Sequence, residues 1–230
     1  MNTKFLSALT ATAAATALFS AAAPAQAASF GTSGIRFNQD TPVDFTFGES
    51  HGMYKSFLGI YSVKNSIPTL IKTLFAETKG SDNSRQDEWK GTLGNTVLGP
   101  ATVQFLFRAG EDYALGLNSG DDGTVYSTSG LNSSGTQQAV FGNTSLLTAL
   151  DLDTTKNFKA AGQYTNGGGS LFNGGTIISF DDRGNGNDAD FQDFTVTAEA
   201  VPEPMTMTGL ALGLGGLVAA RRRRGSKTAS

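Results

Sequence analysis

No cysteine occurs anywhere in this 230-residue chain, which excludes a disulfide framework, a thiolate metal site and a cysteine nucleophile. Histidine is nearly absent too: His51, in Glu49-Ser50-His51-Gly52, is alone. One imidazole rules out a histidine-rich zinc centre, and any Ser-His-Asp machinery would have to rest on it. A lone histidine in so polar a stretch reads as an ordinary surface residue. The sequence has no G-x-S-x-G elbow, no H-E-x-x-H pair and no phosphate-binding loop. These absences point away from an enzyme. A secreted hydrolase would have to draw on Glu49, Glu77, Asp87, Glu88, Glu111 or Asp112, which sequence alone cannot assemble into the carboxylate pair such chemistry needs.

What is present begins at the two ends. Lys4 opens a weakly apolar run from Phe5 to Ala23, closed by Pro24-Ala25-Gln26-Ala27-Ala28. Ala25 and Ala27 put small residues where a signal peptidase reads them, so the mature chain is expected to start at Ala28. The Ala/Thr run has no polar face, which argues against an amphipathic helix of the folded domain. At the other end, Val201-Pro202-Glu203-Pro204 precedes an uncharged stretch, Met205 to Ala220, and then Arg221-Arg222-Arg223-Arg224. The apolar stretch falls short of the roughly 20 residues that span a bilayer and is diluted by Thr206, Thr208 and glycines, with Gly209 and Gly213 at helix-packing spacing. Arginines are retained on the cytoplasmic side, so the domain is expected to face outward.

This order of motif, apolar helix and basic cluster resembles the PEP-CTERM sorting signal of envelope-bearing bacteria. The resemblance covers only the segment from Val201 onward. It implies a substrate of exosortase, cut at the motif after a signal peptidase has removed the leader. The precursor would be anchored in the inner membrane only transiently, by a transmembrane helix. The mature protein would be exported to the cell surface or extracellular matrix, in the company of exopolysaccharide and biofilm. As with a GPI signal, the discarded tail leaves no membrane span behind. A plain single-pass anchor is the alternative.

The expected organisation is therefore a signal peptide over 1–27, a β-sandwich domain over 28–198, a linker with the motif over 199–204, a hydrophobic helix over 205–220 and a basic cytoplasmic tail over 221–230. Of the 17 Lys and Arg, Lys4, Arg221 to Arg224 and Lys227 leave with the ends, so 11 face all 20 Asp and Glu, a net charge of −9. That balance opposes nucleic acid and anionic membrane as partners, because phosphate binding needs clustered cations. The remaining 177 residues suffice for one domain with a sizeable core.

Sixteen Phe among abundant Gly, Thr, Ser and Asn, in short runs parted by turn residues, predict antiparallel β structure. Strands are expected at Ile35–Phe47, Phe57–Val63, Thr102–Arg108, Tyr113–Leu117, Ala139–Phe141, Leu146–Leu152, Thr176–Phe180 and Phe191–Ala198. Val103, Phe105 and Phe107 share one face, Gly110-Glu111-Asp112 reads as a hairpin turn, and Thr69–Glu77 fits a strand or a short helix. Such a set suggests a β-sandwich, with a jelly roll as the favoured topology. Thr78–Gly99, polar and charged apart from Trp89, and Asn118–Gly135 read as long exposed loops, the kind that carry function or move.

The densest chemistry lies in Phe180-Asp181-Asp182-Arg183-Gly184-Asn185-Gly186-Asn187-Asp188-Ala189-Asp190-Phe191-Gln192-Asp193-Phe194. Its carboxylates repel one another, and a bound Ca²⁺ would relieve that repulsion using carboxylate and carbonyl oxygens. No EF-hand register fits. The phrase resembles the close of an uncharacterised secreted β domain found beside PEP-CTERM tails, from which it departs at Asp181 and Gln192, and this implies a Ca²⁺ loop. The expected ligands are Asp182, Asp188, Asp190 and Asp193. Asp181 is the weaker candidate, because strand alternation would point it away from Asp182. The alternative is a solvated polar turn. These readings lead to a structural or adhesive surface protein. Its rivals are an exopolysaccharide-binding module, with exposed aromatics on a sheet face and Trp89 stacking on a sugar, and a secreted hydrolase.

Overall fold

The computed structural model describes residues 27–87, 89–146, 166–167, 169–182 and 191–201. The chain there is mainly β: β1 (Ala27–Gly31), β2 (Gly34–Phe37), β3 (Thr41–Ser50), β4 (Phe57–Lys64), β5 (Ile67–Ala76), β6 (Thr102–Phe107), β7 (Asp112–Asn118), β8 (Thr124–Tyr126), β9 (Ala139–Gly142), β10 (Thr176–Phe180) and β11 (Phe194–Ala200). Two antiparallel sheets form, one in the order β1-β2-β7-β4-β5 with β8 on β7, the other β6-β3-β11-β10-β9. They pack face to face as a β-sandwich.

Alternation explains how each strand joins the core. In β3, Val43, Phe45 and Phe47 are buried while Asp44 and Thr46 look outward, the period-2 pattern of a half-buried strand. Phenylalanines from both sheets meet between the layers. Phe37, of the first sheet, lies 5.1 Å from Phe107 of the second, which in turn lies 5.1 Å from Tyr113. β10 is buried throughout, because its outer face is also covered: Ile177 and Val140 pack with Leu146 and Phe191 in a second cluster.

The outer face of the first sheet has a different device. A Cβ on Gly116 would stand 2.5 Å from the Tyr61 ring, and the same ring lies 3.5 Å from where Gly59 would carry one. Tyr61 thus lies across side-chain-free backbone and restores burial that the glycines forgo. Tyr126 meets it edge-on at 5.2 Å.

Register decides which ends meet. Ser50 and Phe180 both face Phe194, and Phe57 lies between Ala76 and Asn118. The ends of β3, β5, β7 and β10 and the starts of β4 and β11 therefore gather at one end of the sandwich. At the opposite end, β1 begins against Phe37, β4 turns into β5, and β11 finishes, with the Val201 N–H donating to the Pro42 carbonyl at 2.9 Å.

Several expectations are corrected. The order found is not a jelly roll: β1–β2, β4–β5, β7–β8 and β9–β10–β11 pair as sequence neighbours. Ile35–Phe47 is two strands in different sheets, parted at Asn38–Asp40. Gly110 turns the chain with φ +76, yet β6 and β7 lie in different sheets, so this is a crossover and no hairpin. Of Thr69–Glu77, all but Glu77 lies in β5, and Glu77 forms an isolated bridge with Val97. Residues 144–146 are helical, and the rest of that expected strand lies outside the described residues. The two long loops are built segments. β8 and three short 3-10 turns occupy Asn118–Gly135. In Thr78–Gly99 the Asp82 carboxylate accepts from the Thr92 N–H at 3.2 Å and from the Thr92 and Thr96 hydroxyls at 2.6 Å each.

Candidate metal centre

β10 stops at Phe180, and beyond it the alternation of side chains lapses. Asp181 and Asp182 can therefore both turn inward, and they are 1% and 5% exposed. The Asp193 N–H donates to the Phe180 carbonyl at 3.0 Å, the Asp181 N–H to the Gln138 carbonyl at 3.2 Å, and the His51 N–H to the Asp193 carbonyl at 3.2 Å. A side-chain clasp completes the set, from the Asp182 N–H to Asp193 Oδ2 at 2.7 Å.

These bonds bring Asp181, Asp182 and Asp193 together, each with a carboxylate oxygen within 4.8 Å of the other two. Two oxygens bound to one Ca²⁺ at 2.3–2.6 Å stand at most about 5 Å apart, so the trio fits around a single ion. Asp181, the weaker candidate by sequence, joins the group. Asp188 and Asp190 lie outside the described residues. Gly52 borders the trio: a Cβ there would sit 3.1 Å from Asp182 Oδ2 and 3.6 Å from Asp193 Oδ1, so the main chain passes where a side chain would crowd the oxygens.

Glu77, at the end of β5, adds a further acid that no sequence pattern marked for this place. It is buried at 4% exposure. Its Oε1 accepts from the Ser50 hydroxyl and its Oε2 from the Ser56 N–H at 2.8 Å. Burial pushes its carboxyl up to about 7, against those two hydrogen bonds and with help from the Asp182 charge. The Tyr54 phenol is likewise raised, by desolvation and by the charges of Asp122 and Asp182. One end of the sandwich thus concentrates negative charge contributed by both sheets. Only the run before Phe194 was dense enough in sequence to announce it; Glu77 and Asp122 arrive through the fold.

His51 is not a surface residue. It is buried, with Nε2 3.5 Å from Glu49 Oε1, while Lys90 Nζ reaches Glu49 Oε2 at 2.8 Å. Burial alone would raise the Glu49 carboxyl, and these two neighbours more than offset it and hold it low. Other acids considered for hydrolysis also have structural partners: Asp112 pairs with Arg36 at 2.8 Å, and Glu111 accepts from the Tyr113 hydroxyl at 3.2 Å. Asp87 has no described side chain, and Glu88 lies outside the described residues. Trp89 is partly buried with φ +63, in a loop fastened where Gly91 and Ser50 exchange main-chain hydrogen bonds at 2.8 and 3.1 Å.

Of the processing residues, Ala27 opens β1 and Val201 follows β11; Ala25, Pro202, Glu203, Pro204 and Arg221 to Arg224 lie outside the described residues. No helix among the described residues is long and apolar enough to cross a membrane. No protein-family model, curated protein or solved structure matches this chain.

Proposed function

We propose that this chain is an exported surface or extracellular-matrix protein with a structural or adhesive role, whose sandwich is closed at one end by Ca²⁺. The observation that carries the reading is the convergence of Asp181, Asp182 and Asp193 on one point. Three buried or half-buried carboxylates held that close repel strongly, and a divalent cation is the chemistry that removes the cost. Asp188 and Asp190 belong to the same proposed ligand set. With the cation in place, the residues that leave β10 and enter β11 are held to each other and, through the bond from the His51 N–H to the Asp193 carbonyl, to the end of β3.

Export and sorting are proposed from the two ends of the sequence. Cleavage after Ala27 leaves Ser29, Phe30 and Gly31 paired to β2, so the sheet survives loss of the leader. Val201, the first residue of the proposed Val-Pro-Glu-Pro motif, follows the last residue of β11, so a cut at the motif would spare that strand. Signal peptidase and exosortase are the proposed processing partners, and exopolysaccharide the proposed matrix neighbour. The chain is proposed to be no enzyme: Ser50, the hydroxyl next to the single histidine, is fully buried against Glu77.

For the sugar-binding alternative, Phe172 is the one aromatic among the strongly exposed large apolar residues described, and Tyr61 is spent covering Gly116. The test of the Ca²⁺ reading is titration calorimetry of the chain from Ala28 to Pro204. One saturable site, lost in Asp181→Asn and Asp182→Asn, is expected; absence of binding heat at any concentration that leaves the protein soluble would refute it.

A further inference from the structure

Between Glu49 and Glu77 the chain carries Lys55, Lys64 and Lys72 and no acidic residue, in a domain that is otherwise acidic. The β4–β5 hairpin occupies this stretch; its tip, Lys64 to Ile67, runs beyond the last register pair of β4 with β7, Ser62–Tyr113, while Leu70 lies along the outer edge of the sheet opposite Tyr61. From Lys64 to Thr73 every side chain is exposed except the partly buried Pro68, and burial resumes only at Leu74 and Phe75. Ile67 is 66%, Leu70 42% and Ile71 46% exposed. Lys64 and Lys72 stand exposed among them, and neither takes part in an ion pair among the described residues. The tip has a defined shape: Asn65 and Ser66 both have positive φ, 52 and 62, as a type I′ turn requires.

β5 is an edge strand, yet its edge is a poor template for another strand. Pro68 has no N–H to offer. Ile71 and Leu74 are skipped in the pairing with β4, and such bulges break the ladder and twist the edge away. Strand addition by a second copy or a peptide is therefore disfavoured, and the side chains are what the hairpin presents. Branched apolar groups flanked by unpaired lysines match the boundary of an anionic bilayer, where apolar side chains enter the interface and cations meet the headgroups. The acids nearest the tip, Glu111 and Asp112 beside the Ser62–Tyr113 pair, are engaged, Asp112 by Arg36 and Glu111 by the Tyr113 hydroxyl, and salt confines the field of more distant acids to about 8 Å. The tip also projects at the end of the sandwich where β11 finishes and the chain leaves at Val201.

We propose that the β4–β5 hairpin is a membrane-docking finger that seats Ile67, Leu70 and Ile71 in the interface of an anionic bilayer. It rests on the sorting-tail reading only in taking the chain beyond Val201 to meet the same bilayer.

The cysteine-free chain allows a clean test. An environment-sensitive dye is placed on the full chain through Ser66→Cys, at the tip, or Gln86→Cys, in the loop at the acidic end. Each protein is mixed with vesicles of phosphatidylcholine alone or of phosphatidylcholine with phosphatidylglycerol. The dye at 66 should shift to the blue with the anionic vesicles, and the shift should vanish in Lys64→Glu/Lys72→Glu, while the dye at 86 stays in water. An unshifted dye at 66 on anionic vesicles overturns the finger. So does a shift that grows with protein concentration without lipid, which makes a second copy the occupant. Flotation on phosphatidylcholine alone reports the tail separately: no flotation, with the shift at 66 intact on anionic vesicles, discards the tail reading and keeps the finger.

Discussion

The Asp182 N–H donates to Asp193 Oδ2 at 2.7 Å, so the residue leaving β10 is clasped by the residue entering β11. The same carboxylate belongs to the proposed Ca²⁺ trio, which gives Asp193 two separable duties. Asp193→Ala leaves the buried Asp182 N–H without this acceptor, a cost of about 1–3 kcal/mol, or several degrees in Tm for a domain of this size. Asp193→Asn keeps an acceptor and removes a charge. In chelator, Asn should melt near the parent and Ala well below it, while both lose the response to Ca²⁺. Identical melting of the two variants in chelator would contradict the clasp.

Glu77 makes stability depend on pH in a stated direction. Its folded-state carboxyl is raised from 4.5 to about 7, so its contribution is fully present below 4.5 and is lost as pH rises through about 7. At about 1.4 kcal/mol per unit, the loss is on the order of 3 kcal/mol. Glu77→Gln retains a side chain that can hydrogen-bond Ser50 and Ser56 and cannot ionise. Urea melts in chelator should find it little different from the parent at pH 4 and clearly more stable at pH 8; parallel pH profiles would rule out a buried, titrating Glu77.

Asp82 acts in the opposite sense. Its partial burial would raise the carboxyl, but the hydrogen bonds from Thr92 and Thr96 and the Lys79 charge outweigh that and hold it below its ordinary value. Its stabilisation is present above pH 3.8 and falls as the group protonates. Asp82→Ala removes the acceptor of three bonds and should cost on the order of 2 kcal/mol. Limited proteolysis should then cut within Thr78–Gly99, which the parent protects; a loop equally resistant in both proteins would show that Asp82 does not organise it.

Gly116 is required by the Tyr61 ring. Gly116→Ala forces the ring off the sheet, since the new Cβ would lie 2.5 Å from it, and overpacking of this kind costs about 1–3 kcal/mol. Tyr61→Ala in the same chain should recover part of the loss by making room. Strictly additive melting temperatures in the double variant would argue against the contact.

The fold was legible where one signal sufficed. Val43, Phe45 and Phe47 alternate with polar residues, and Phe57–Val63 and Thr176–Phe180 are bounded by turn residues. It was not legible where partners are distant. Nothing local says that the turn at Gly110 sends the chain to the other sheet, or that β8 hides in a Ser/Gly-rich stretch by pairing with Gly116–Asn118. The acidic site divides the same way. Asp182 and Asp193 stand out by density, whereas the position of Asp181 beside them is not legible from alternation, which lapses after Phe180, where the strand has ended. Glu77 lies over a hundred positions upstream, and His51 is buried by contacts with Asp193 and Glu49 that its polar neighbours do not foretell.

The central claim is tested most directly by thermal unfolding of the chain from Ala28 to Pro204 in excess Ca²⁺ and in chelator, beside Asp182→Asn. Ligand at a hundred times its Kd adds about 2.7 kcal/mol, which for a domain of this size moves the midpoint by several degrees. The account predicts that rise in the parent and its loss in Asp182→Asn. A parent midpoint indifferent to Ca²⁺, or a rise that Asp182→Asn shares in full, would contradict it.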